Sequence, residues 1–262
     1  MRGFAHALGV ESLKARRSVA PWLTALAFTI APLVGALFMY ILADPDRARR
    51  MGLIGQKAQL AGGGSDWTAY FAFLAQAVTV GGFILFAFVA AWVFGREFSD
   101  GTARSLLALP TSRPAIVAAK LTVVALWCGA LTALVTVIGL LAGAALGLPG
   151  WSPAALSAGL VHVWAGAALT VLIVLPVALV AGAGRGYLAP LGLAMLLLLL
   201  AQIVAATGRG EWFPWAIPAL YAQVAGAAGG GVEAVSFVIV AVTGVAGAAG
   251  TFAWWSFADF PR

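Results

Sequence analysis

Residues able to do chemistry are few in this chain, and they assemble into no catalytic or metal-binding set. The two histidines, His6 and His162, lie in different segments, and neither Cys128 nor the four methionines gather around them. Metal-ligand spacing is therefore absent. Cys128 sits in an apolar run and reads as a small buried hydrophobe. Glu211 and Glu233 form the one tempting carboxylate pair, but they stand too far apart in the chain for any fixed geometry to follow. No Gly-x-x-x-x-Gly-Lys-Ser/Thr phosphate loop occurs, and Gly62-Gly63-Gly64-Ser65 lacks the lysine such a loop requires. The expectation is no catalytic residue, no metal and no cofactor held by this chain.

One segment does concentrate polar types in a definite order. It runs from Gly95-Arg96-Glu97 through Gly101-Thr102 and Arg104 to Leu106-Leu107, Pro110 and Arg113. Glu97 closes a long apolar stretch, where an unpaired carboxylate is costly. It is expected to pair with a cation or to accept from the turn at Gly101-Thr102. Residues 102–109 could form two helical turns, which Pro110 would end. Leu106, Leu107 and Leu109 would give that helix an apolar side and Arg104 a polar one. A short amphipathic helix of this kind can lie on a membrane or insert into a groove on a partner.

The elements that must position this segment are membrane spans. The chain is 63 % hydrophobic and 9 % charged over 262 residues, against about 25 % charged in a soluble domain. Most of it must meet lipid, since a soluble surface could not be built from so few charges. A crossing helix needs about 20 apolar residues. Uncharged runs and the strong turn at Gly147-Leu148-Pro149-Gly150 place spans at about 19–43, 67–95, 116–146, 154–181, 187–207 and 234–257. The runs are continuous rather than alternating, which favours helices over a barrel. The expected fold is an all-α, six-helix transmembrane bundle covering 19–258. A loop at 96–114 follows the second span, and an outer loop at 208–233 is open to a re-entrant element.

Six spans put both termini on one side. That side carries ten of the fifteen basic residues, so the positive-inside rule places both termini in the cytoplasm, and the expected setting is a bacterial inner or plasma membrane. The net charge of +6 thus reads as a topology device and not as a nucleic-acid footprint. Residues 1–18, with Glu11, Lys14, Arg16 and Arg17, suit an amphipathic interfacial helix. Gln76, Thr79, His162 and Gln202 are polar members of the spans and candidates to line a path, with helix-to-helix hydrogen bonding the plain alternative.

The string Glu97-x-x-x-Gly101-Thr102, Leu106-Leu107, Pro110-x-Ser112-Arg113, then Ile116 and Lys120 resembles the loop between helices two and three of type-2 ATP-binding-cassette (ABC) permeases, of the bacterial exporter type. Glu11-Ser12-Leu13-Lys14-Ala15-Arg16-Arg17 is similar to that family's elbow helix, and the six-span layout matches over the whole chain. Ala103 departs from the pattern, standing where the family carries a larger apolar residue. The resemblance implies that Glu97, Gly101, Thr102, Arg104, Leu106, Leu107, Pro110 and Arg113 couple the bundle to an ATPase. It implies two copies of a separate ATPase subunit, which bind ATP and magnesium, and a second permease subunit, identical or related. The implied function is export by alternating access. Spans without central charge suit a cargo that is a hydrophobic drug, peptide or lipid. A carrier driven by an ion gradient would need buried carboxylates or broken helices near the midplane. A non-transporting scaffold or sensor would leave the 96–114 pattern without a purpose.

Overall fold

The computed structural model describes residues 2–44, 64–102, 111–223 and 232–257. Among these, every regular element is a helix. Helix α1 spans Arg2–Arg16 and precedes the first crossing, α2 (Ala20–Leu42). The second crossing, Trp67–Ser99, is composite. It joins α3 (Trp67–Gln76) to α4 (Gly82–Ser99) through a π-helical turn at Ala77–Gly81. Then follow α5 (Arg113–Ala145), α6 (Pro153–Ala183) and α7 (Leu188–Ala206). A 3₁₀ turn at Gly210–Trp212 and the short α8 (Ile217–Tyr221) precede α9 (Ala234–Phe257). Six stretches are long and apolar enough to cross a bilayer, so the protein is an all-α membrane bundle of the expected class.

Local sequence explains the helix ends opposite the termini. Asp66 and Ser152 cap α3 and α6 by accepting from the amides of Ala69 and Ala155 at 2.8 and 3.0 Å. Helix α5 ends in a Schellman motif. Gly147 takes φ +62, its amide donates to Ala144 O, and the Leu148 amide donates to Gly143 O. Pro149 O then accepts from the Trp67 amide at 3.1 Å, tying this turn to the start of the second crossing.

The second crossing is the central one. Its apolar core is 61 % buried within the chain, against 28 % for α2, α7 and α9. Small residues bring its neighbours close. A methyl group on Gly139 or Gly143 of α5 would meet Leu74 at 2.6 Å or Trp67 at 2.5 Å. Gly244, Gly247 and Gly250 do the same for α9 against α6, where a Cβ on Gly247 would lie 2.5 Å from Pro176 N. Close approach of this kind is how apolar helices associate in lipid, where hydrophobic burial gives little drive.

Two helices outrun the uncharged stretches that mark the crossings in sequence. Helix α4 continues through Glu97 to Ser99, and α5 begins at Arg113. Counting charges locates the edge of the hydrocarbon layer, but a helix continues wherever its charged side chains find partners. Those partners make up the site below.

Candidate functional site

The end of α4 is a second Schellman motif, and it gives the Glu-x-x-x-Gly-Thr string a physical meaning. Gly101 takes φ +67, in the left-handed region open to glycine. Its amide donates to Phe98 O at 3.3 Å, and the Thr102 amide donates to Glu97 O at 2.8 Å. The reversal folds Thr102 back over Glu97, where its hydroxyl donates to Glu97 Oε2 at 2.8 Å. Glutamate, glycine and threonine at this spacing therefore serve one turn.

The other oxygen of Glu97 enters a closed ring of alternating charge. Lys14 Nζ lies 2.7 Å from Glu97 Oε1 and 2.8 Å from Glu11 Oε1. Lys120 Nζ lies 3.1 Å from the same Glu97 oxygen and 2.9 Å from Glu11 Oε2. Two carboxylates and two ammonium groups alternate around the ring, so it is neutral as a whole. Lys120 is fully buried and its third donor reaches Val93 O at 2.8 Å, so all three ammonium protons are used. Glu97 and Glu11 are only 3 % and 5 % exposed. Charges buried this far persist only when paired and hydrogen-bonded, a condition that the ring meets. Burial works against the Lys14 ammonium, but hydrogen bonds and Coulomb attraction from Glu11 and Glu97 outweigh it. Its pKa therefore sits above the ordinary lysine value.

The ring ties together three elements: α1 through Glu11 and Lys14, α4 through Glu97, and α5 through Lys120. The other faces of the α4 terminus are also engaged. Phe94 and Phe98 meet the ring of Trp255 at 6.3 and 5.9 Å, and Phe98 also meets Trp254, both indoles on α9. Gly95 packs on the 184–187 turn so closely that a Cβ there would lie 2.8 Å from Gly186 O. Arg96 pairs with Asp100 at 2.9 Å and stacks on Trp92 at 4.9 Å. Arg113, at the start of α5, donates through Nη1 to Trp255 O and Ser256 O at 3.3 and 3.2 Å. The last turn of α4 is thus a hub that touches α1, α5, α9 and the α6–α7 turn, and it leads directly into residues 103–110.

Of the residues singled out in that loop, Glu97, Gly101 and Thr102 fall in this hub, and Arg113 reaches α9 beside it through Trp255 O and Ser256 O. Arg104, Leu106, Leu107 and Pro110 lie outside the described residues. On α1, Glu11 and Lys14 enter the ring, whereas Arg16 and Arg17 are exposed. In sequence alone Glu11 belongs to the polar face of an interfacial helix, and nothing local assigns Lys120 a partner. The available signal was a solitary lysine bordering an apolar run, which near a membrane calls for a named partner.

The four polar candidates in the spans converge at the opposite end. Thr79 and Gln202 line one small cavity of about 20 Å³ beside Trp215 and Ala219. Gln76 Nε2 donates to Gln223 O at 3.3 Å, and the His162 ring lies 4.9 Å from that of Tyr221. Residues 210–223 fold back against the bundle, anchored by Trp215 Nε1 on Ile173 O at 3.1 Å. The π turn at Ala77–Gly81 was not legible in sequence, and it carries Thr79. Such turns occur often at functional sites.

The first helix of this multi-pass helical protein is thus bound to the turn after the second crossing. The family model of ABC-2 family transporter proteins matches residues 7–201, which include Glu11, Lys14, Glu97, Thr102 and Lys120. The chain belongs to that family and is an ABC-2 type permease. It is also 27 % identical over 131 residues to the bacitracin transport permease protein BCRB of Bacillus licheniformis. That match takes in 50 % of this chain and 63 % of that relative.

Proposed function

We propose that this chain is the membrane-spanning subunit of an ATP-driven exporter, and that the ion ring is where force from a separate ATPase enters the bundle. The observation that carries this reading is the hub at the end of α4. One short turn is ion-paired to α1 and α5 and packed on α9, and the chain runs on from it into 103–110, the segment that the family resemblance assigns to the ATPase contact. Movement of that segment would reach α1 and α5 through ion pairs, and α9 and the α6–α7 turn through ring and backbone packing. Both termini and the hub would face the cytoplasm, where nucleotide is available. ATP and magnesium would be held by two ATPase subunits, and a second permease copy would complete the path.

On this reading 210–223 closes the far end, and Gln76, Thr79, His162 and Gln202 sit where cargo would leave. Similarity to a bacitracin transport permease makes bacitracin the first compound to assay, followed by other hydrophobic peptides, drugs and lipids. The test is co-purification with the ATPase, then cargo-stimulated ATP turnover for the parent, Glu97→Gln and Arg113→Gln. Coupling predicts that stimulation is lost while basal turnover of the ATPase persists. Unchanged stimulation in both variants would remove the coupling role.

A further inference from the structure

Beside the ring, on the outward face of the bundle, α1, the start of α2 and α5 enclose an open groove of about 500 Å³. Its floor and walls are apolar, with Trp22, Val123, Leu126, Trp127 and Ala130 among the lining residues. Trp22 is 76 % exposed at one edge, and Leu126 is 62 % exposed on α5. Trp127 is fixed at the back, its Nε1 donating to Thr24 Oγ1 at 3.1 Å and its ring packed on Trp92 at 5.5 Å. Arg16, near the end of α1, is its charged lining residue, and Arg17, the next residue in the chain, is exposed. Neither arginine has an ion pair among the described residues, and no acidic side chain lines the groove. Glu11, the nearest carboxylate on α1, is turned into the ring and neutralised there.

We propose that this groove binds one anionic phospholipid of the surrounding leaflet, with its headgroup phosphate on Arg16 and Arg17 and an acyl chain laid over Trp22, Leu126 and Trp127. Three observations converge on that occupant. The cationic end and the apolar body are adjacent, in the order in which a phospholipid presents headgroup and chain. Helix α1 ends and the first crossing begins at this point, so the groove lies at the depth where headgroups meet chains. Tryptophans favour the same depth because their rings are apolar and their N–H is not. A water-soluble peptide would leave Trp22 and Leu126 facing acyl chains, and a second copy of the chain would confront two arginines, without an ion pair among the described residues, with two more. A basic end with no acidic neighbour among the described residues selects an anionic headgroup over a zwitterionic one, by about fivefold for each arginine near the surface.

The test uses the full-length chain in detergent micelles with equal amounts of phosphatidylglycerol and phosphatidylcholine bearing identical acyl chains. Native mass spectrometry counts the lipid retained. The parent should hold phosphatidylglycerol in preference, by roughly twenty-fivefold if both arginines act. Arg16→Gln/Arg17→Gln should lose that preference, and Ala130→Trp should lose retention of both lipids by filling the apolar end. Inorganic phosphate should displace neither lipid, because it supplies no chain. Equal retention of the two lipids by the parent, or an unchanged preference in the arginine variant, overturns the proposal. So does displacement by phosphate. Should Ala130→Trp fail to fold, brominated-chain phosphatidylglycerol gives a second readout on the parent and on Trp22→Phe, a change at an exposed position. The tryptophan emission quenched in the parent should exceed that in Trp22→Phe, and equal quenching would again refute the site.

Discussion

Replacing Lys120 by methionine is the sharpest perturbation of the ring, because this ammonium is fully buried and makes three bonds at once. Its removal leaves Glu11 Oε2 and Val93 O without their donor and changes the ring from neutral to one net negative charge. Lys14 still contacts both carboxylates, but it is partly exposed and has no donor for every vacated acceptor. Breaking a buried pair on one side costs about 3–5 kcal/mol, or roughly one hundredfold to several thousandfold in the folding equilibrium. The double variant Lys120→Met/Glu97→Gln removes one charge of each sign and leaves Lys14 paired with Glu11. It should recover part of the loss, with a coupling energy of about 0.5–3 kcal/mol. The assay is unfolding of the purified protein in mixed micelles by titrated sodium dodecyl sulfate, followed by circular dichroism. A cost below about 1 kcal/mol for Lys120→Met, or costs that merely add in the double variant, would refute the ring as a cooperative unit.

The Gly101→Ala variant places a Cβ at φ +67 and should destabilise the turn by roughly 1–2 kcal/mol, seen as faster hydrogen exchange at Thr102. Thr102→Val should cost about 1.5–3 kcal/mol in the same micelle titration, because it removes a hydrogen bond to an ionised carboxylate. Gly247→Val must push α9 off Pro176, where the obstacle is backbone and cannot yield. A loss of at least about 2 kcal/mol, with wider spacing between spin labels on α6 and α9, is expected. Because the folded pKa of Lys14 is raised, its stabilisation is fully present below the ordinary lysine value and fades only as pH rises through the folded one. A spin label at Gly9, where a side chain meets open space, should therefore show α1 docked from neutral pH to about pH 10 and released only above it.

The crossings were legible because lipid imposes a crude rule, namely about 20 residues without charge. Glu97, Gly101 and Thr102 stood out as a string because a helix end is a local event, fixed by residues within five positions of one another. What stayed hidden was of another kind. Glu11 and Lys120 stand 109 positions apart, and nothing in the periodicity of either helix says that they meet. The π turn was equally hidden, since Ala77-Val78-Thr79-Val80-Gly81 reads like any stretch of apolar helix. Thr79 and Gln202 were visible as polar residues in apolar spans, but their shared cavity depends on how α7 packs against the second crossing. The outward-facing groove escaped for the same reason, because its walls come from three helices.

The π turn also makes a claim about length. Gly82 donates to Ala77 O, five positions back, so the second crossing carries one residue more than a regular helix would use between the same two anchors. Those anchors are Tyr70, bonded to Pro32 O on one side, and Phe86, packed on Phe28 on the other. Deleting one residue within 77–81 would let the ladder close as ordinary α-helix with both anchors still in register. The same deletion anywhere else in the crossing would swing every later side chain by about 100°. The spine of this bundle thus holds a single spare link, and shortening the chain there would take away Thr79's bulge while leaving the scaffold on either side in place.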